Sequence, residues 1–304
     1  MYQLNIYKTD QIYNHLLSLP VEERNNYFIN NLINPFEGKF NAQHIPLKAQ
    51  SNNFVDALFM LNQIQLSPEK LSNSDLQHIK HLNDDFWLDC DKYFDHALKA
   101  FADKHIFSKI KHYHFTALLG DKTKPAMYLN NNYLGDGGIP GYIIIYLIPN
   151  IYTLSKLKGV ITHEVNHNVR YQYIDWDGGS LKELVVAEGL AENFVEHLYG
   201  KNALGPWVTA INWQDNKQSI KNIINTHLDI TDLVSAMPYL YGDDITTAQG
   251  GQAVGLPHAA GYTYGYYLIK YFLAKTNIPI EEATILPAET ILNEVTEFWN
   301  ITTH

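Results

Sequence analysis

Thr162-His163-Glu164-Val165-Asn166-His167-Asn168-Val169-Arg170 sets two histidines four residues apart, with a glutamate beside the first. In a helix, positions i and i+4 stand one above the other on the same face, so His163 and His167 can grip one metal ion between them. Glu164, one step round, reaches a water bound to that ion. This is the H-E-x-x-H arrangement of zinc-dependent peptidases. An ordinary surface helix with two histidines has the same spacing, so the residues that follow must discriminate.

Catalytic zinc takes three protein ligands and keeps a further position for water. One subclass finds its third ligand in a histidine six residues after the second, with a glycine between. Tyr173 and Arg170 hold those places here, which excludes that subclass. Another subclass takes a glutamate from the following helix. Residues 181–194 read as that helix, and Glu188 stands in an otherwise apolar run from Val185 to Ala191. A carboxylate in such surroundings is costly unless a cation neutralises it. Glu192, one turn further on the same face, is placed to accept the distal N–H of a zinc-bound histidine and so fix its tautomer. Between Glu69 and Glu281, every glutamate falls in one of these two helices: Glu164, Glu183, Glu188, Glu192 and Glu196. Simple solvation of an amphipathic helix accounts equally well for Glu183 and Glu196.

Segments 162–170 (THEVNHNVR) and 187–194 (AEGLAENF) resemble the YjaZ-like group of predicted zinc-dependent proteases, a branch of the gluzincins. A third stretch, 258–266 (HAAGYTYGY), is similar to the Gly-Tyr-rich helix start found late in that group. The resemblance spans about residues 155 to 275. It implies a thermolysin-type α+β zincin core, in which a small mixed sheet is followed by the active-site helices. It also implies His163, His167 and Glu188 as ligands of Zn2+, with Glu164 as general base. The first hundred residues carry none of its motifs, and it supplies no substrate.

The expected chemistry is peptide-bond hydrolysis on a peptide or protein substrate. Zinc lowers the pKa of its bound water and polarises the scissile carbonyl, and Glu164 takes the water's proton and passes it to the leaving amine. The oxyanion needs a further donor, for which Tyr262 and His258 are the candidates. The Gly261/Gly265 spacing lets their helix approach another closely, and Tyr266 lies one turn on. No glutamate lies between Glu69 and the motif, which disfavours an aminopeptidase with an acidic anchor on the sheet edge and leaves an endopeptidase preferred. The alternative is an inactive zinc-binding regulatory or interaction module. A structural zinc site is normally closed by four ligands, usually with cysteine. The sole cysteine, Cys90, is far from the motif, and a structural site has no use for Glu164.

Composition bounds the remaining classes. A chain of 304 residues can bury a large core in one domain or two. Its first residues lack a basic stretch followed by a long apolar one, and no apolar run approaches the roughly 20 residues of a membrane span. The longest, 142–148, is strand-sized. One cysteine excludes an internal disulfide, and a net charge of −10 argues against nucleic acid and anionic membranes as partners. A cytoplasmic enzyme is expected.

Along the chain, residues 1–105 read as a mostly helical region of unknown role. A strand opens it at 3–7, and helices follow at 10–19, 21–33, 50–65 and 74–102. Residues 106–304 read as the metallopeptidase domain. Its sheet lies at about 106–150, its metal helices at about 153–200, and a helical part ends with 283–299. Within the sheet, 112–119, 126–129 and 141–148 are the strand candidates, separated by the turn-rich 130–140. In gluzincins an edge strand beside the metal pairs with substrate backbone. The candidates for that edge are 141–148 and the Gly137-Gly138 approach, although the apolar continuity of 141–148 favours an interior strand.

Overall fold

The structure is a computed structural model and describes residues 2–49 and 54–299. The strands are β1 Gln3–Tyr7, β2 His112–Leu119, β3 Tyr133–Asp136 and β4 Tyr142–Leu147, and branched and aromatic residues concentrate most in β4. Their order in the sheet is β1-β2-β4-β3; β1, β2 and β4 run parallel, and β3 is antiparallel to β4. The helices that shape or support the site are α1 Thr9–Ser18, α2 Val21–Phe28, α3 Glu37–Ala42, α4 Asp84–Asp103, α5 Pro125–Leu129, α6 Leu157–Tyr173, α7 Leu181–Tyr199 and α8 Ala260–Thr276. The fold is thus mixed α+β, with a small mixed sheet. Among the described residues, no helix is long and apolar enough to cross a membrane.

The chain forms two compact units, Met1–Asp95 with Lys109–Glu164, and His96–Ser108 with Val165–His304. In the first, α1 is tied to β2 by two buried bonds. Thr9 Oγ1 donates to the Ala117 carbonyl at 2.6 Å, and the Leu119 N–H donates to the Tyr13 hydroxyl at 2.9 Å. β4 is buried along most of its length, which explains its unbroken Ile-Ile-Ile run. In the second unit, α7 is buried over most of its length and packs against α8 with backbones nearly touching. A Cβ on Gly189 would lie 2.2 Å from the Gly265 carbonyl oxygen.

β4 pairs with β2 on one side and β3 on the other, so 141–148 is the interior strand that its apolar continuity favoured, and β3, which runs into Gly137-Gly138, is an edge. Other expectations are corrected. Residues 126–129 are helical rather than extended. Pro125 starts α5 with φ already set, the following residues are sound helix formers, and Asn131 and Asn132 end it at positive φ. The chain recovers from that turn directly into β3, where the asparagines and glycines had suggested only loop. The 50–65 helix shrinks to Ala57–Leu61; its start is set by Asp56, whose carboxylate accepts from the Phe59 N–H. Beyond it, Gln65 bridges to Gly120. Residues 50–53 of that expectation lie outside the described residues. The 74–102 helix is interrupted before α4, where Asn83 accepts from the Phe86 N–H and opens a new helix. The last expected helix begins earlier and divides into Ile280–Thr284, Ala288–Glu294 and Thr296–Trp299, the first two starting from Pro279 and Pro287.

Candidate metal centre

Every residue from Gly159 to Arg170 is buried, although α6 carries Thr162, His163, Glu164, Asn166, His167, Asn168 and Arg170 within that stretch. A helix of that composition is tolerable in a protein interior only if its polar groups find partners. Arg170 finds the most. Its guanidinium meets Glu183 in a two-pronged pair, Nε and Nη2 each 2.7 Å from a carboxylate oxygen, while Nη1 donates to the Thr284 and Leu286 carbonyls. Asn166 donates to Thr284 Oγ1 at 2.9 Å.

His163 and His167, on consecutive turns of α6, meet Glu188 of α7. One ligand atom from each lies within 4.8 Å of the others. His167 Nε2 is 3.3 Å from Glu188 Oε2. Two imidazoles and a carboxylate are the donor set of a catalytic zinc site, so these residues fit that ion. Glu164 follows His163 and is itself buried, 4% exposed.

The loop between the two helices sets this register. Gly178 and Gly179 take φ of +93° and +92°, a backbone turn that side-chain-bearing residues rarely adopt. The Asp177 carboxylate then accepts from the Gly179 and Ser180 N–H groups and from the Ser180 hydroxyl. Ser180 caps α7 by accepting from the Glu183 N–H. The Arg170–Glu183 pair joins the same two helices. Tyr171 lies four residues after His167, with ring centroids 6.4 Å apart. Burial, then the neighbouring Glu183, holds its hydroxyl well above the usual phenol range, so it stays a neutral donor. Arg170, Glu183 as its partner, and Tyr171 are missing from the sequence reading. A charged residue inside an otherwise buried helix was the signal available for the first.

Glu192 is one turn beyond Glu188 and almost fully buried. The sequence reading pairs it with a histidine N–H. In the structure, its two oxygens accept from the Gly205 N–H at 2.9 Å and the Trp207 indole N–H at 2.7 Å. Trp207 in turn lies 6.2 Å, centroid to centroid, from Tyr262, and Tyr241 flanks the same ring at 6.0 Å. Tyr262 is half-buried, on the first turn of α8. His258 is also half-buried, just before the left-handed turn at Ala259 that starts the helix. Tyr266 is occupied elsewhere, donating to Glu196 and accepting from Lys270. Burial raises the Glu196 pKa, but hydrogen bonds donated to it by Lys270 and Tyr266 outweigh that and hold the carboxyl below its usual range.

The family model described as predicted Zn-dependent protease (DUF2268) matches residues 86–293. Among curated proteins, the uncharacterized protein YjfC of Bacillus subtilis (strain 168) is 34% identical over 296 residues, covering 94% of this chain and 96% of that protein. The uncharacterized protein YjaZ of the same organism is 24% identical over 141 residues, 46% of this chain and 51% of that one. No solved structure matches.

Proposed function

Because the chain belongs to the family of predicted Zn-dependent proteases, we propose that it is a zinc metallopeptidase of gluzincin type that hydrolyses peptide bonds in peptide or protein substrates. The observation that carries the reading is the convergence of His163, His167 and Glu188, with Glu164 adjacent on the same helix. His163, His167 and Glu188 would hold the ion. Zinc, when bound, supplies a Lewis acid that polarises a carbonyl and makes water a usable nucleophile near neutral pH. Glu164 acts through its carboxylate, which takes a proton from the attacking water and delivers it to the leaving amine nitrogen. Burial of Glu164 keeps bulk water from competing for that proton. Tyr262 and His258 donate to the oxygen on which negative charge develops. Glu192 acts on the site through Trp207, whose ring supports Tyr262. The lack of an acidic anchor before the motif favours an endopeptidase.

The test is metal analysis of the purified protein, paired with cleavage of a mixed peptide library. Near-stoichiometric zinc is expected, and Glu164→Gln keeps the zinc while losing cleavage by about a hundredfold or more. Full zinc without cleavage in the wild type would instead indicate a regulatory or interaction module. Failure to take up zinc at all would remove the basis of the reading.

A further inference from the structure

We propose that Gly135-Asp136-Gly137, held by Lys39, forms a seat that positions the Glu164 carboxylate; this rests on the role given to Glu164 above. Side chains alternate along a strand, so in β3 Gly135 presents one side of the sheet edge and Asp136 the other, and Gly137, just past the strand's end, faces Glu164 as Gly135 does. Glu164 lies directly against the glycine side. A Cβ on Gly135 would stand 2.4 Å from Glu164 Cγ and Oε1 and 2.5 Å from Cδ. On Gly137 it would stand 2.5 Å from the Glu164 carbonyl oxygen and 2.8 Å from its Cβ. No real carbon sits that close to a non-bonded neighbour. The carboxylate therefore keeps its place because Gly135 lacks a side chain, and α6 lies this close because Gly137 lacks one too.

The residue between them is fastened from the opposite side. Asp136 pairs with Ile144 at the end of β3. The Lys39 ammonium lies 2.8 Å from each of its carboxylate oxygens. Lys39 is 1% exposed and belongs to α3. That helix sits close on the sheet because its Gly38 leaves room for the Tyr142 hydroxyl, only 2.1 Å from where a Cβ would be. An edge strand bonded on one side only is the least constrained part of a sheet. An ion pair to a buried lysine at its end removes that freedom next to the Glu164 carboxylate. The N-terminal helices, which carry no motif, thereby gain a part in the chemistry as positioning elements.

The two glycines do different work. At Gly135 the collision is with the Glu164 side chain, which can swing away. At Gly137 it is with the α6 backbone, which cannot move without shifting the helix. Gly135→Ala in the full chain is therefore the informative variant. A misplacement of about 1 Å lowers kcat about a hundredfold, while KM and zinc affinity, read by chelator competition, stay within about threefold. A crystal structure of the variant is expected to show the Glu164 carboxylate displaced by about an ångström or more. An unmoved carboxylate, or wild-type kcat, overturns the seat, and the crystallographic arm decides whether or not a cleavable peptide has been found. If Gly135→Ala does not fold, the double variant Lys39→Met/Asp136→Asn keeps both glycines but releases the strand. It is expected to lose about tenfold in kcat at unchanged zinc affinity, and unchanged kcat would equally overturn the proposal. Glu164→Gln measured alongside separates the failures. Cleavage that survives Glu164→Gln refutes the general-base role, whereas an inactive Glu164→Gln beside a fully active Gly135→Ala refutes the seat alone.

Discussion

Burying a guanidinium costs several kcal/mol unless its N–H groups find acceptors, and fully buried Arg170 directs its donors to Glu183, Thr284 and Leu286. Removing one partner strands the other. Arg170→Met leaves the Glu183 charge buried without its cation, and is expected to cost about 3–5 kcal/mol in urea unfolding. Arg170→Met/Glu183→Leu replaces the pair with apolar volume and is expected to recover most of that loss. A double variant no more stable than the single would mean that the two charges are not coupled. The metal-ligand candidates were legible in the sequence because a helical period alone stacks His163 over His167, and an apolar run alone makes Glu188 conspicuous. The Arg170–Glu183 partnership was not, since both are ordinary surface types and only tertiary burial makes them obligatory partners. Glu192 shows the same limit. A helical wheel gives its face, but not that the Gly205 N–H and the Trp207 indole N–H would donate to it.

At the scale of elements, α7 and α8 are set by a backbone contact that no single-helix pattern reveals. Gly189 stands against the Gly265 carbonyl, and a Cβ on Gly265 would lie 2.0 Å from the Val185 carbonyl oxygen. Neither obstacle is a flexible side chain, so the helices themselves must part. Gly189→Ala is expected to destabilise the chain by about 1–3 kcal/mol or more. Because its neighbour Glu188 rides on the same turn, zinc affinity should fall as well. Gly138→Ala is the control, having nothing within 4 Å of the added carbon, and its unfolding midpoint should remain near the wild type. Equal midpoints for both variants would show that the close approach carries no weight. β1 and β2 were readable to the residue and α7 at its start, while α6 was placed by its motif rather than by its ends. The 125–136 stretch was not readable, because α5 is short and its proline, rather than its apolar residues, decides its conformation. β3 then forms from Tyr-Leu-Gly-Asp, a sequence with little strand preference of its own, because β4 offers it a ladder.

For the whole molecule, the proposed ligands come from two helices that only the folded chain brings together, so zinc held there would be linked to folding. An ion that binds the native chain and not the unfolded one adds RT ln(1 + [L]/Kd), about 2.7 kcal/mol at a free zinc concentration one hundred times Kd. Calorimetry of chelator-treated protein, with and without zinc restored, is expected to show a higher midpoint in the zinc-loaded sample. His167→Ala removes one imidazole and the partner of Glu188, and should abolish the increment. Glu188→Ala keeps both imidazoles and should reduce the increment without removing it. Glu164→Gln keeps all three ligands and should retain it in full, which separates holding the ion from using it. Zinc also binds unfolded histidines, so the increment must be read over a range of zinc concentrations, where a native site gives a midpoint that climbs with log[Zn]. A midpoint indifferent to zinc across that range would mean that His163, His167 and Glu188 do not form a metal centre, and the hydrolytic reading would fall with it.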